Sequence, residues 1–528
     1  MKKFTLSFAA VALGISSLCA SYAKENMCLY ARMRPPKELV PKLIRFTEEV
    51  VDDKYFNACF SALAAKFGHP NYGELSPSQG PAVFLFEGDK EALFVVKFNK
   101  NSTIKTDLMK SGLGLKDVSG WTLISSSREK LNELTNADWI LSIAEGKIKN
   151  DIEIYPSVPR LVENMNVDIL KNEMGPDFRE QIDRLSFLFY TLRDEVDELQ
   201  EICFACNFDG STTTLSSSCK AKAGSDIGAL WTSKVDGDTQ LPQMVFERNP
   251  YCSIFWNSNQ RADIVFSDKI NHKILKNCNY ADLDAMWKRF MEKSKALEHK
   301  RSGQGAAYIV PDGDDVGLVL ICGGTHDDAD VKAMIDLDDD LSDLIGYITY
   351  SAEKGCDCFA GMDCDKLKYM SQYTHRKETV YTYRQTQCGT PENWLDYHIC
   401  ACRGNIIMAT SQNLAKGAID NILDNKTKIA LEDKCRLQVS VNGSQIASDT
   451  LSRQKDFAEW CDIGNMKPIG ICSTSSNSKY TLRITFDNVS VMELGKLMFA
   501  TLGTGVASSD SDAETSAGNG GGTEAEKN

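Results

Sequence analysis

Twice along the chain an apolar run breaks at an acidic, glycine-containing turn and resumes at once, and this pattern restricts the fold more than any other feature. In the first instance Ala82-Val83-Phe84-Leu85-Phe86 meets Glu87-Gly88-Asp89-Lys90-Glu91, then Ala92-Leu93-Phe94-Val95-Val96. In the second, Ala307-Tyr308-Ile309-Val310 meets Asp312-Gly313-Asp314-Asp315, then Leu318-Val319-Leu320-Ile321-Cys322. Two β-rich runs joined by such a turn predict a hairpin. A helix is expected after each. Ser102 or Thr103 supplies the N-cap and Gly112 the C-cap of the first, and the second runs from about Asp328 to Leu341.

The order continues in parallel. Trp121-Thr122-Leu123-Ile124 leads through Ser125-Ser126-Ser127 into a helix containing Leu131 and Leu134. Its counterpart, Ile406-Ile407-Met408-Ala409, leads through Thr410-Ser411 into a helix containing Leu414, Ile419 and Ile422. In both, hydroxyls stand where a helix N-terminus leaves backbone N–H groups without partners. A third correspondence joins Glu201–Leu230, a hairpin around Asp209-Gly210 with a helix opened by Ser225, to the strand Lys479–Phe486 and helix Val489–Phe499. The pattern predicts an α+β protein of two tandem related units, each a largely antiparallel sheet with packed helices. The expected boundaries are 1–23 for a signal peptide, 24–245 and 246–502 for the two units, and 503–528 for a disordered acidic Gly/Ser-rich tail.

Longer helices are expected between these elements. Ile182, Leu185, Phe189, Leu192, Val196 and Leu199 recur at three- and four-residue spacing, as do Leu283, Met286, Phe290 and Leu297. These stripes are too short for an extended coiled coil, so packing on the sheet is the expectation.

Lys2 and Lys3 precede the apolar run Phe4–Ala20, which closes on Ser21-Tyr22-Ala23. This pattern reads as a secretory leader, and its apolar core is too short to span a bilayer. Leu18 before Cys19 argues against a lipoprotein anchor. No later stretch approaches a transmembrane length, so an exported chain of the periplasm or cell surface without an integral span is expected. Of 18 cysteines, Cys19 leaves with the leader and an odd number remains, so at least one is free or pairs between molecules. In an oxidising compartment several disulfides are expected, with a connectivity that spacing does not give.

The leader, the twin segments Ala82–Val96 and Ala307–Cys322, and the twin strand–Ser/Thr–helix units at Trp121 and Ile406 together resemble a loose class of secreted bacterial duplicated α+β proteins. That resemblance implies a fold and carries no functional residues.

Chemistry is weakly declared. Cys356, Cys358, Cys364 and His375 form a zinc candidate in ligand type, although their spacing differs from paired Cys-x-x-Cys knuckles. Asp338, Asp339 and Asp340 are the calcium candidates, without the closing glutamate of an EF-hand. The Asp312–Asp315 and Asp327–Asp330 groups read as turn and helix-start carboxylates. His398, Cys400 and Cys402 alternate on one expected strand face and read as structural. Cys203 and Cys206, three apart on a strand, point to opposite faces and do not suit thioredoxin-type chemistry. Ser225 reads as a helix cap rather than a nucleophile. No Walker loop, dinucleotide fingerprint, His-Glu-x-x-His motif or nucleophile elbow occurs, and no cofactor is implied.

With 73 acidic against 59 basic residues, the formal charge is −14. Such a field repels phosphate backbones, so nucleic acid is not an expected partner. The expected function is an exported non-enzymatic binding or scaffold protein, acting on a protein or a surface polymer. Two alternatives stand beside it: a hydrolase on glycan or peptide using scattered carboxylates, and a carrier of an apolar ligand. In each case the seam between units is the expected site.

Overall fold

The computed structural model describes residues 24–50, 75–87, 92–99, 102–168, 179–235, 241–278, 281–313, 315–349, 369–386, 394–424, 427–429, 435–453 and 466–493. Among them are thirteen helices, counting one short 3-10 turn, and one 18-stranded sheet. Residues 1–23, expected as a signal peptide, and 503–528, expected as a disordered tail, lie outside the described residues.

The strands of the first half are β1 (Met27–Met33), β2 (Ala82–Phe86), β3 (Ala92–Val96), β4 (Gly114–Val118), β5 (Trp121–Ser125), β6 (Ile152–Pro156), β7 (Leu199–Asp209) and β8 (Thr212–Ala221). The second half contributes β9 (Cys252–Asn257), β10 (Arg301–Asp312), β11 (Asp315–Gly324), β12 (Tyr369–His375), β13 (Glu378–Thr386), β14 (Trp394–Cys402), β15 (Asn405–Ala409), β16 (Cys435–Val441), β17 (Ile469–Ser476) and β18 (Lys479–Asp487). Every pairing is antiparallel. The pairings place the first half in the order β4-β5-β3-β2-β1-β6-β7-β8. The second half runs β18-β17-β16-β9-β10-β11-β15-β14, with the hairpin β12–β13 added outside β14. Strands β8 and β18 pair with each other and make the sheet continuous.

Local chemistry explains the hairpins. The links β4–β5 and β14–β15 are the two-residue turns Ser119-Gly120 and Arg403-Gly404. Both residues of each turn have positive φ, with Gly120 at 81° and Gly404 at 80°. Turns of this hand match the twist of the flanking strands, and glycine takes the second position without a Cβ clash.

The faces of the sheet divide by alternation. On one face Ala82, Phe84, Phe86, Leu93, Val95 and Leu123 are buried under the helices α3 (Arg128–Glu133) and α4 (Asp138–Ala144), the first two helices being α1 (Pro36–Val50) and α2 (Ile104–Lys110). The same face of the second half buries Ala306, Tyr308, Val310, Val319, Ile321 and Ile407 beneath a later helix, Gln412–Asp424. Ser127 caps α3 by accepting from the Lys130 N–H at 3.3 Å, and Ser411 accepts from the Leu414 N–H at 3.3 Å. Each buried aliphatic side chain contributes about 1.5–3 kcal/mol relative to exposure, so these two caps carry the main cores.

The opposite face holds α5 (Val158–Asn164), α6 (Arg179–Asp197), α7 (Asp226–Thr232), α8 (Gln260–Asn277), α9 (Ala281–Glu298) and α10 (Asp328–Thr349). Two expectations change here. Leu199 lies at the start of β7 rather than in the helix, because α6 ends at Asp197. The second stripe meets other helices, with Leu283 of α9 sharing a cluster with Phe187 of α6 and Ile274 of α8, while in the first stripe Val196 packs beside Leu199 and Ile202 of β7 and Leu192 is 53% exposed. The chain completes its helices with α11 (Gln412–Asp424) and α12 (Gly443–Arg453).

Candidate binding surface across the seam

Strand β8 enters the seam at Thr212, opposite Asp487, and leaves it at Lys220, opposite Lys479, with Ser216 facing Arg483 at the midpoint. Thr212 begins β8 after the turn from Asp209, and Lys479 begins β18 after the turn from Ser476. Each strand therefore meets the other in the same register counted from its own hairpin. Two flanking backbone bonds repeat this relation. The Ala221 N–H donates to the Ser478 carbonyl at 2.9 Å, and the Asn488 N–H donates to the Ser211 carbonyl at 2.8 Å.

Alternation gives the seam two chemically different faces. One carries Thr214, Ser216 and Ser218 opposite Thr485, Arg483 and Thr481, a hydroxyl-rich floor with the Arg483 side chain exposed. The other mixes hydroxyl and apolar side chains, with Thr213, Leu215 and Ser217 of β8 opposite Phe486, Ile484 and Leu482 of β18. Ile154 of β6 lies opposite Phe204 of β7, and Leu215 of β8 lies opposite Ile484 of β18. Ile471 of β17 faces Ile484 and is itself opposite Val439 of β16. Ile154, Phe204 and Leu215 remain 37%, 43% and 42% exposed, and Leu482, Ile484, Ile471 and Val439 are half-buried. At one margin Trp231 of α7 packs with Ile202, Ala221 and Tyr480. At the other, Phe46 of α1 contacts Phe208 with ring centroids 5.0 Å apart. In the strip between these margins Ile154, Phe204 and Leu215 are partly open to solvent, with Ser217 standing between Phe204 and Leu482.

Polar contacts hold the helices beside the strip. Arg436 on β16 donates to the Leu230 and Ser233 carbonyls at the end of α7, at 3.1 and 2.6 Å, and also bonds Ser475. A guanidinium there satisfies carbonyls that the helix end leaves unpaired. Lys273 of α8 bridges Glu195 and Glu198 at 2.5 and 2.7 Å, and Lys269 pairs with Asp226. Between α7 and α8 lies a cleft of about 290 Å³ lined by Asp226, Leu230, Asn259, Arg261, Val265 and Phe266.

A buried ionic group borders the polar face. Glu153 of β6 accepts from Arg32 at 2.7 Å, from the Tyr155 hydroxyl at 3.0 Å and from the Lys149 and Asn150 N–H groups. Burial alone would raise its pKa, but these donors outweigh it and hold the carboxyl below the ordinary glutamate value. Tyr155 stacks on Tyr30 at 4.7 Å, and burial pushes the Tyr30 hydroxyl up to about 12. Nearby Asp151 accepts from Lys42 at 3.0 Å, lies 3.2 Å from the Arg34 guanidinium, and also takes the Phe208 N–H at 2.8 Å.

The structure distributes the residues singled out from sequence. Of the zinc candidates, Cys356, Cys358 and Cys364 lie outside the described residues, while the His375 ring bonds Asp420 of α11 at 2.9 Å. Of the calcium candidates, the side chains of Asp338 and Asp339 lie outside the described residues. Asp340 is buried and paired with Arg289 and Lys293 of α9, at 2.8 and 2.6 Å. Among the described residues no group of three or more His, Cys, Asp or Glu side chains is placed to hold a metal ion.

Asp327 caps α10 by accepting from Ala329 and Asp330 N–H groups at 2.9 and 3.2 Å, and Asp312 and Asp315 flank the β10–β11 turn. Cys400 and Cys402 share the α11-capped core, and burial raises the Cys402 thiol to about 12. His398 on the same strand face contacts Thr382 at 3.3 Å. Cys203 and Cys206 sit on opposite faces of β7, opposite Ser218 and Leu215. Ser225 accepts from the Gly228 N–H at 3.1 Å as the cap of α7.

The apolar strip itself was not visible in sequence. Leu215 is a single apolar residue inside the hydroxyl run Thr212–Ser218, and its neighbours across the seam come from Leu482 and Ile484 far along the chain. The strict alternation Thr481-Leu482-Arg483-Ile484-Thr485-Phe486 was the one local signal.

No family model matches the chain, and no curated protein or solved structure matches it.

Proposed function

We propose that this is an exported, non-enzymatic binding or scaffold protein, built from two tandem related units (24–245 and 246–502) and engaging its partner across their seam. The open apolar strip of Ile154, Phe204 and Leu215, continued by Leu482, Ile484, Ile471 and Val439, carries this reading. The tandem relation is supported by the common strand order, by the matched burial of Ala82/Phe84/Phe86 and Ala306/Tyr308/Val310, and by the symmetric β8–β18 register. A two-fold axis perpendicular to the sheet, between Ser216 and Arg483, exchanges the two strands of that seam. Isologous pairing of this kind is how two copies of one surface meet.

Export is supported by the Lys2–Ala23 leader pattern. Among the described residues no helix is long and apolar enough to cross a membrane. The partner class is a protein or surface polymer offering an extended apolar segment. Against the hydrolase alternative stand the ion pairs of five buried carboxylates: Glu153 with Arg32, Asp151 with Lys42, Asp330 with Lys300, Asp340 with Lys293 and Asp487 with Lys467. The carrier alternative asks for an enclosed chamber, whereas the strip lies open.

The test is titration of the folded full chain with 1-anilinonaphthalene-8-sulfonate, read beside the double variant Phe204→Ser/Leu215→Ser. Dye fluorescence is expected to rise with the native protein and to fall at least several-fold in the variant at unchanged stability. Equal dye binding by both proteins would contradict the assignment of the strip.

A further inference from the structure

Beside the seam, strand β16 carries an irregularity that brings two thiols together. Cys435 faces Thr474 and Leu437 faces Ser473, so Arg436 is an extra residue opposite no partner on β17. Such a bulge bends the strand and re-aims the side chains next to it. Here it draws Cys435 toward Cys472, the residue opposite Gln438, and the two sulfurs lie 2.8 Å apart. That is closer than unbonded sulfur atoms rest, on neighbouring hydrogen-bonded strands. The bulge is fixed from outside, because the Arg436 guanidinium is held by Ser475 and by the carbonyls that end α7.

We propose that Cys435 and Cys472 are a redox-active pair that closes a cross-strand disulfide, with a small-molecule disulfide of the glutathione type as oxidant. Cys472 is half-buried and Cys435 is buried, so Cys472 is the sulfur that the oxidant reaches. The Cys472 thiolate attacks one oxidant sulfur, forms a mixed disulfide and expels one small thiolate. The Cys435 thiolate then attacks Cys472 and expels the second. The protein gives up two electrons and two protons, and the oxidant disulfide becomes two thiols. The closed bond ties β16 to β17 and thereby fixes the strand from which Arg436 grips α7, so oxidation stiffens the seam. This deepens the disulfide content of the exported reading by naming one bond.

The reduced, folded full chain is incubated with glutathione disulfide, unfolded, alkylated with iodoacetamide and digested without reduction. Peptides bearing Cys435 and Cys472 are expected as one linked species, lighter by two hydrogens than their sum. Cys435→Ser is expected to trap glutathione on Cys472, because the resolving thiol is gone. Full alkylation of both cysteines in the oxidised wild type, or linkage of each to a different cysteine, overturns the pair while leaving the export reading standing. A bond that forms in the tube but is missing from protein alkylated directly in intact cells, with the protein found only in the cytosolic fraction, overturns export while leaving the pair standing.

Discussion

Matched positions in the two halves of the sheet are filled by different chemistry. In the first half Arg32 lies opposite both Ala82 and Glu153, and its guanidinium binds the buried carboxylate. In the second, the residue opposite Ala306 and Gln438 is Phe255, whose ring meets Tyr308 edge-on at 5.5 Å. One half closes this position with an ion pair and the other with an aromatic contact, yet strand order and register agree around both. Both positions lie on the face that carries the helix-covered cores, Arg32 beside Glu153 and Phe255 against Tyr308. A buried pair is also the more fragile solution, since removal of one partner leaves the other charge uncompensated.

Breaking the contrast at its strongest point should have the largest effect. Glu153→Ala should cost about 3–5 kcal/mol, because Arg32 then remains partly buried without its carboxylate. The matched Gln438→Ala should cost about 1 kcal/mol or less. Urea unfolding of both variants measures the difference, and equal losses would remove the asymmetry. The two caps should instead respond alike. Leu123→Ala beneath α3 and α4, and Ile407→Ala beneath α11, each empty a fully buried position and should each cost about 2–5 kcal/mol. A large loss in one and none in the other would mean that the two cores are not equivalent.

Acid sharpens the same comparison. The folded-state pKa of Glu153 is depressed, so its stabilisation is complete above the ordinary glutamate pKa of about 4.3 and is lost as pH falls through the depressed value. Wild type should therefore lose stability more steeply below about pH 4.3 than Glu153→Gln, which has no carboxyl to protonate. Parallel acid profiles would show that Glu153 is not held as described. The smallest stability effect belongs to the open strip. Phe204→Ser and Leu215→Ser should each change unfolding free energy by about 0.5 kcal/mol or less, because both side chains are already substantially exposed.

What was legible in sequence was local. The hairpins around Phe84 and Tyr308 announce themselves by β-rich runs and turn residues, and Ser127 and Ser225 by their place before a helix. Strands β1, β6, β9 and β16 did not, because five to seven residues without clean alternation carry little periodic signal. The Arg32–Glu153 pair spans 121 positions and leaves no local trace. The helix through Leu192 was visible, but its buried face was not: Phe187 and Thr191 are buried while Leu192 is 53% exposed, because the partner helices come from far along the chain. The added hairpin β12–β13, which extends only the second half, was likewise unforeseen.

An experimental structure of the full chain tests the tandem seam most directly. The account predicts that strands β1–β8 superpose on β9–β11 and β14–β18 by a two-fold rotation. Thr212 should fall on Lys479, Lys220 on Asp487, and Ser216 should remain opposite Arg483. A β8–β18 pairing in any other register, or two halves whose strand orders fail to overlay, would contradict it.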